Sequence, residues 1–140
     1  MENNLILKQE LLLEIHSIIA TAKNRAIRSV DTERVLMYWQ LGKVIFEEEQ
    51  QGKERAGYGV FLIKTLANTL EPQYGSGFSY RQLNLFRQFY RNFPIVNALR
   101  SQFSWTHYRI LIRIDNQDKR EFYIAETDKN NWTATIFHYF

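Results

Sequence analysis

At 140 residues, 45% of them hydrophobic and 15% aromatic, the chain can bury the core of one domain and is too apolar to stay disordered. It has no cysteine, which excludes disulfides and thiolate metal sites and fits a reducing cytoplasm. No apolar run approaches the ~18 residues that cross a bilayer, and 18 basic against 15 acidic residues leave a net charge of only +3.

In chain order the pattern is helical almost throughout. Met1-Glu2-Asn3-Asn4 has no basic n-region, so no signal peptide is expected and the location is read as cytoplasmic. Leu11, Leu12, Ile15, Ile18, Ile19, Ala22 and Ala26 recur at helical spacing and predict a long amphipathic helix over roughly residues 5–28, reaching to about 30. Asp31 is of the N-cap type, with Glu33 in the following turn, so a second helix is expected over Glu33–Glu49. Its core candidates are Leu36, Trp39, Leu41, Ile45 and Phe46, and Gln51-Gly52 ends it. Gly57-Tyr58-Gly59 leads into a third helix with Leu62, Ile63, Leu66 and Leu70 on its apolar face, and Pro72 to Gly77 reads as a turn.

The fourth helix carries the sharpest local signal. Ser79-Tyr80-Arg81-Gln82 has the form of a capping box, and Phe93-Pro94 stops the helix. At about 100° per residue, Leu83, Phe86, Phe89, Tyr90 and Phe93 share one face. The opposite face collects Arg81, Asn84, Arg87, Gln88 and Arg91, with Tyr80 at its edge. Arg, Asn and Gln are the side chains that pair bidentately with guanine and adenine in the major groove. Ser104 caps a fifth helix through Ile114, with Trp105, Tyr108, Leu111 and Ile112 inward. Asp115 or Asn116 starts a sixth that places Phe122, Tyr123 and Ile124, and Asn131 is expected to cap a last short helix ending at Phe140.

The charge is segregated. From Pro72 to Ile114 there is no Asp, Glu or Lys, but there are six arginines: Arg81, Arg87, Arg91, Arg100, Arg109 and Arg113. That window alone is +6, so the remainder sums to 3 − 6 = −3. A one-sided arginine patch is the footprint of a polyanion partner. The bland alternative is that folding brings acids from elsewhere to these arginines.

Other motifs are weaker. The third helix, the glycine turn and the fourth helix resemble a helix-turn-helix, although a turn of about six residues exceeds the usual three or four. Gly57-Tyr58-Gly59 at a helix start could cradle a phosphate, but two glycines are weak evidence and the segment reads first as a plain turn. Glu47-Glu48-Glu49 point in different directions on a helix and read as a solvated helix end. His16 reads as a boundary residue, His107 as a packing residue beside the arginines, and Trp39, Trp105 and Trp132 as core. There is no P-loop, no G-x-S-x-G and no H-E-x-x-H. A PD-(D/E)-x-K nuclease centre needs an acid two residues before a lysine. The residues two before the seven lysines are Ile6, Thr21, Leu41, Gln51, Leu62, Gln117 and Thr127, none of them acidic.

Several phrases together carry a resemblance. They are Asn24-Arg25-Ala26 with Val30, and Glu33 through Tyr38-Trp39-Gln40-Leu41-Gly42. Then come Gly57-Tyr58-Gly59 with Leu62-Ile63, Tyr74-Gly75, and Gly77-Phe78-Ser79-Tyr80-Arg81-Gln82-Leu83. Arg87-Gln88-Phe89-Tyr90, Phe93-Pro94, Ser104-Trp105-Thr106-His107-Tyr108, Glu121-Phe122-Tyr123 and Trp132 complete the set. Over about residues 15–132 the chain resembles the N-terminal domain of the YhcG-type family of bacterial proteins, a domain that precedes a PD-(D/E)-x-K nuclease-like domain. The resemblance implies a helical, helix-turn-helix or winged-helix-like DNA-binding module associated with a nuclease, with mobile-element or defence roles suspected. After Trp132, Thr133 to Phe140 departs from the family's usual amphipathic helix, so the terminal helix and the nuclease domain are expected to be missing from this chain.

The combined expectation is an all-α compact multi-helix domain over 1–140, with six or seven helices and a helix-turn-helix-like unit at 58–93. It binds double-stranded DNA and is not itself an enzyme, with no catalytic residue, metal or cofactor expected. The expected DNA face is Ser79, Tyr80, Arg81, Asn84, Arg87, Gln88 and Arg91. Arg87 and Arg91 contact bases or phosphates, Asn84 and Gln88 read bases, and Arg81 with the Ser79 end holds the backbone. Arg100, Arg109 and Arg113 extend a phosphate track if they face the same side. The rival class is a protein-interaction domain that forms a homodimer or docks a nuclease through the apolar stripe of the first helix. Single-stranded or RNA binding stays open through stacking on Tyr80 and Tyr90.

Overall fold

The computed structural model describes residues 2–52, 54–100 and 103–133, and side chains from residue 9 onward. Among the described residues there are five α-helices: α1 (Glu2–Gln51), α2 (Tyr58–Tyr74), α3 (Tyr80–Asn92), α4 (Trp105–Ile112) and α5 (Gln117–Asn130). Short 3-10 turns at Ser76–Phe78 and Val96–Ala98 link them. The class is all-α, and no strand of the kind a wing requires occurs among the described residues.

The two helices expected at the N-terminus are one. Residues 28–33 hold no glycine or proline, so nothing breaks the backbone ladder, and continuing a helix costs far less than nucleating a new one. Asp31 is therefore a mid-helix residue, not a cap. The expected turn from Pro72 is also shorter. Pro72 lies in the last turns of α2, where it forgoes one amide bond, and Gly75 ends the helix at φ 96°, donating its N–H to the Glu71 carbonyl at 2.8 Å. Asn131 adopts left-handed geometry (φ 51°, ψ 42°) and closes α5 instead of opening another helix. The helix expected to end at Phe140 lies outside the described residues.

Caps explain the other boundaries. Ser79 Oγ accepts the Gln82 amide at 3.3 Å, but the return arm of the box is absent. The Ser79 N–H already donates to the Ser76 carbonyl at 3.2 Å, so the 3-10 turn has taken that donor. The complete box is at Ser104, with His107 as its reciprocal partner: Ser104 N–H meets His107 Nδ1 at 3.0 Å. Asn116 caps α5 by accepting the Lys119 amide at 3.0 Å.

The core forms around α3, which lies along the C-terminal half of α1 and takes α2 and α4 at its sides. Leu83, Phe86 and Phe89 are fully buried on its apolar face. Tyr38 of α1 stacks on Phe86 (centroids 4.3 Å apart, planes at 11°), and Trp105 of α4 meets Tyr38 edge-on at 4.7 Å. The Trp39 indole donates to the Phe93 carbonyl at 2.6 Å, tying α1 to the end of α3. Gly42 sits at the crossing of α1 and α3, where a Cβ would collide with the Phe86 carbonyl. Along α1 the buried series is Val35, Trp39, Gly42 and Ile45, spaced by one turn, whereas Leu36, Leu41 and Phe46 are half-buried. Ile63 is buried as expected and Ala67 joins it. On α5 Phe122 is 58% exposed, while Tyr123 and Ile124 are half-buried. Arg120 turns inward instead, donating to the Ile114 carbonyl at 2.6 Å beneath the Phe93 ring. Trp39 and Trp105 are core, Trp132 is half-buried and His16 is exposed.

At ~1.5 Å per residue the 50-residue α1 is about 75 Å long, and only its second half belongs to this core. Every side chain from Gln9 to Val30 is exposed.

The Gly42 crossing makes a testable case. Gly42→Ala is expected to lower stability by about 1–3 kcal/mol through overpacking, read as a shift in the urea midpoint. Gly77→Ala, whose Cβ would meet nothing, is expected to leave it unchanged. Burial also pushes the Tyr108 phenol up to about 12. The unfolded phenol ionises near 10, so this contribution to stability is complete below pH 10 and is lost as pH rises toward 12. Tyr108→Phe is expected to be about 1 kcal/mol weaker at pH 7, because it loses the bond to the Arg100 amide, and to lose less further stability between pH 10 and 12 in alkaline melts.

Candidate nucleic-acid interface

Folding sorts the six arginines of the acid-free window. Arg87 meets Glu49 of α1 at 2.7 Å, and Arg100 meets Asp128 of α5 at 2.9 Å. Both acids come from outside the window, so the bland reading holds for these two. Arg81, Arg91, Arg109 and Arg113 are exposed and enter no ion pair among the described residues.

The expected reading face of α3 is divided in the same way. Its middle serves the fold. Arg87 is only 24% exposed, and its Nε is buried without a hydrogen-bond partner. The Gln88 and Asn92 amides both donate to the Ile112 carbonyl, at 3.1 and 2.9 Å, satisfying an orphan carbonyl at the end of α4. Asn84 is half-buried and bonds back to the Tyr80 carbonyl at 3.0 Å. Ser79 is spent on the cap. The ends of α3 remain open, with Tyr80 and Arg81 at one end and Arg91 at the other, about 15 Å apart. The physical reason is that α3 is the central helix, with neighbours on most of its sides.

The Ile112 junction also determines what lies together. Arg91 precedes Asn92, Arg113 follows Ile112, and Arg109 sits one turn back on α4. Arg91 and Arg113 are thus chain neighbours of the two residues that tie α3 to α4, and all three arginines are exposed with no ion pair among the described residues. Arg100 is engaged by α5.

The other sequence candidates have structural partners. The Tyr58 hydroxyl donates to Glu48 Oε1 at 2.7 Å, a bond that raises the Tyr58 pKa, and the Glu49 side chain lies against Gly59. Two carboxylates from the end of α1 thus lie beside the first turn of α2, one held by the Tyr58 hydroxyl and the other by Arg87. Glu48 and Glu49 are not a merely solvated helix end. His107 is buried, with Nδ1 in the Ser104 box and Nε2 3.1 Å from the Trp132 carbonyl. Among the described residues, no three His, Asp or Glu side chains gather to hold a metal, and no helix is long and apolar enough to cross a membrane. Sequence reasoning missed Glu49, which lies 38 residues from Arg87 with no local signal linking them.

No solved structure matches the chain. The Escherichia coli (strain K12) protein named "Putative nuclease YhcG" is 28% identical over 149 aligned positions, covering 84% of this chain. The chain spans only 40% of that protein's length. The family described as the DUF1016 N-terminal domain matches residues 14–139, nearly the whole helical unit described above. The chain belongs to the DUF1016 N-terminal domain family, the N-terminal domain of YhcG-type proteins.

Proposed function

We propose that this domain is a double-stranded DNA-binding module, non-catalytic by itself, which works with the nuclease activity of a YhcG-type protein. The observation that carries the reading is the group Arg91, Arg109 and Arg113, exposed and without an acid partner, at the α3–α4 junction of an acid-free segment. Guanidinium groups so placed suit phosphate oxygens, and their release of counterions gives affinity that falls with salt. Tyr80 and Arg81 add a contact at the far end of α3.

The same geometry supports contact with the phosphate backbone more than base reading. Of the two amides suited to adenine, Gln88 is committed to the Ile112 carbonyl and Asn84 to its own helix. Phosphate contacts position a protein on a duplex and carry little sequence information. In this reading the domain supplies binding and not cleavage, in keeping with the lack of an acid two residues before any lysine.

Fluorescence anisotropy with a labelled random-sequence duplex tests this. Wild-type protein is expected to bind at low salt. An Arg91→Ala/Arg113→Ala variant is expected to bind more weakly and to lose about one unit of salt slope per phosphate contact removed. Unlabelled duplexes of different sequence are expected to compete equally. Folded wild-type protein that does not bind at low salt would overturn the reading. Arg87→Ala serves as the contrast: it leaves Glu49 unpaired and is expected to cost about 1 kcal/mol of stability in urea melts. Arg91→Ala is expected to stay within about 0.5 kcal/mol of wild type.

A further inference from the structure

The first half of α1 needs a partner. Residues 9–30 are exposed throughout, and they include Leu11, Leu12, Ile15, Ile18 and Ile19, each between 42 and 62% exposed. A contiguous apolar face of this kind marks an interaction site. Leu12, Ile15, Ile19, Ala22 and Ala26 follow one another at spacings of three, four, three and four residues, the seam of a coiled coil, with Leu11 and Ile18 along one flank.

We propose that this segment pairs with the same segment of a second copy, the two helices running antiparallel. Two polarities along the segment argue for that occupant and that direction. The seam is large at its N-terminal end (Leu12, Ile15, Ile19) and small at its C-terminal end (Ala22, Ala26). Antiparallel copies set large against small at both ends, which is how facing layers interdigitate. Charge runs the same way, with Glu10 and Glu14 in the first half and Lys23, Arg25 and Arg28 in the second. At about 100° per residue, Glu14 and Arg25 fall on the same flank of the seam. In an antiparallel pair like flanks face each other, so Glu14 of each copy lies near Arg25 of the other. A parallel pair would stack acid beside acid and base beside base. The antiparallel contact is two-fold and self-complementary, so it closes at a dimer. Leu13 projects from the opposite side of the helix and takes no part.

The proposal is independent of the DNA reading, since it uses none of Arg91, Arg109 or Arg113. The test is light scattering after size exclusion, together with sedimentation equilibrium, on the whole chain. The expected mass is twice the 16.8 kDa of one chain. Ile15→Glu/Ile19→Glu is expected to give a monomer whose urea midpoint for the α1–α3 core is unchanged, while Leu13→Glu stays dimeric. Glu14→Arg or Arg25→Glu alone is expected to weaken the dimer at least tenfold, and the two combined in one chain to restore it. A wild-type monomer at 100 µM would overturn the proposal and point to a different protein as the occupant. A dimer that survives Ile15→Glu/Ile19→Glu would overturn the surface, and failure of the combined charge exchange to restore the dimer would overturn the antiparallel direction.

Discussion

At Gly42 the backbone of α1 passes so close to the Phe86 carbonyl of α3 that a methyl group has no room between them. Much of the domain is arranged around that approach. It lets Tyr38 lie flat on Phe86, brings Trp105 edge-on to both rings, and puts the Trp39 indole within reach of the Phe93 carbonyl. Once α3 is held there, α4 can be tied to it by Gln88 and Asn92, and α5 follows through Arg120 under the Phe93 ring. Dispersion and apolar burial supply the energy, and the glycine supplies the distance at which they act.

Because α3 is the hub, it is a poor candidate for a helix that reads a groove along its length. The side chains in the middle of its polar face are engaged by α1 and α4. What remains exposed are its two ends, with Tyr80 and Arg81 at one and Arg91 at the other. The electrostatic logic is consistent with this. Glu49 of α1 neutralises Arg87 and Asp128 engages Arg100, while Arg81, Arg91, Arg109 and Arg113 stay exposed with no ion pair among the described residues.

The chain divides its apolar residues between two jobs. Those from Val35 to Ile45 on α1 build the core, and those from Leu11 to Ile19 on the same helix are left outside it. Among the described residues every side chain from Gln9 to Val30 is exposed, and a helix with no packed face is marginal in water.

By itself the sequence determined what depends on residues within a turn or two of each other. Serine and asparagine caps marked the starts of α3, α4 and α5, the 3.6-residue stripe of Leu83, Phe86 and Phe89 marked the buried face, and the run of family phrases marked the domain. The acid-free arginine window was equally legible, since charge can be counted without a fold. Only the tertiary structure decided which arginines are free, because Glu49 reaches Arg87 across 38 residues and no local pattern announces such a pair. It likewise decided that Gln88 is a tie between helices, that Arg120 goes inward while Phe122 stays exposed, and that α1 runs unbroken through Asp31. Each of those outcomes is a competition between distant groups for the same partner or the same space, and that competition is settled only when the helices pack.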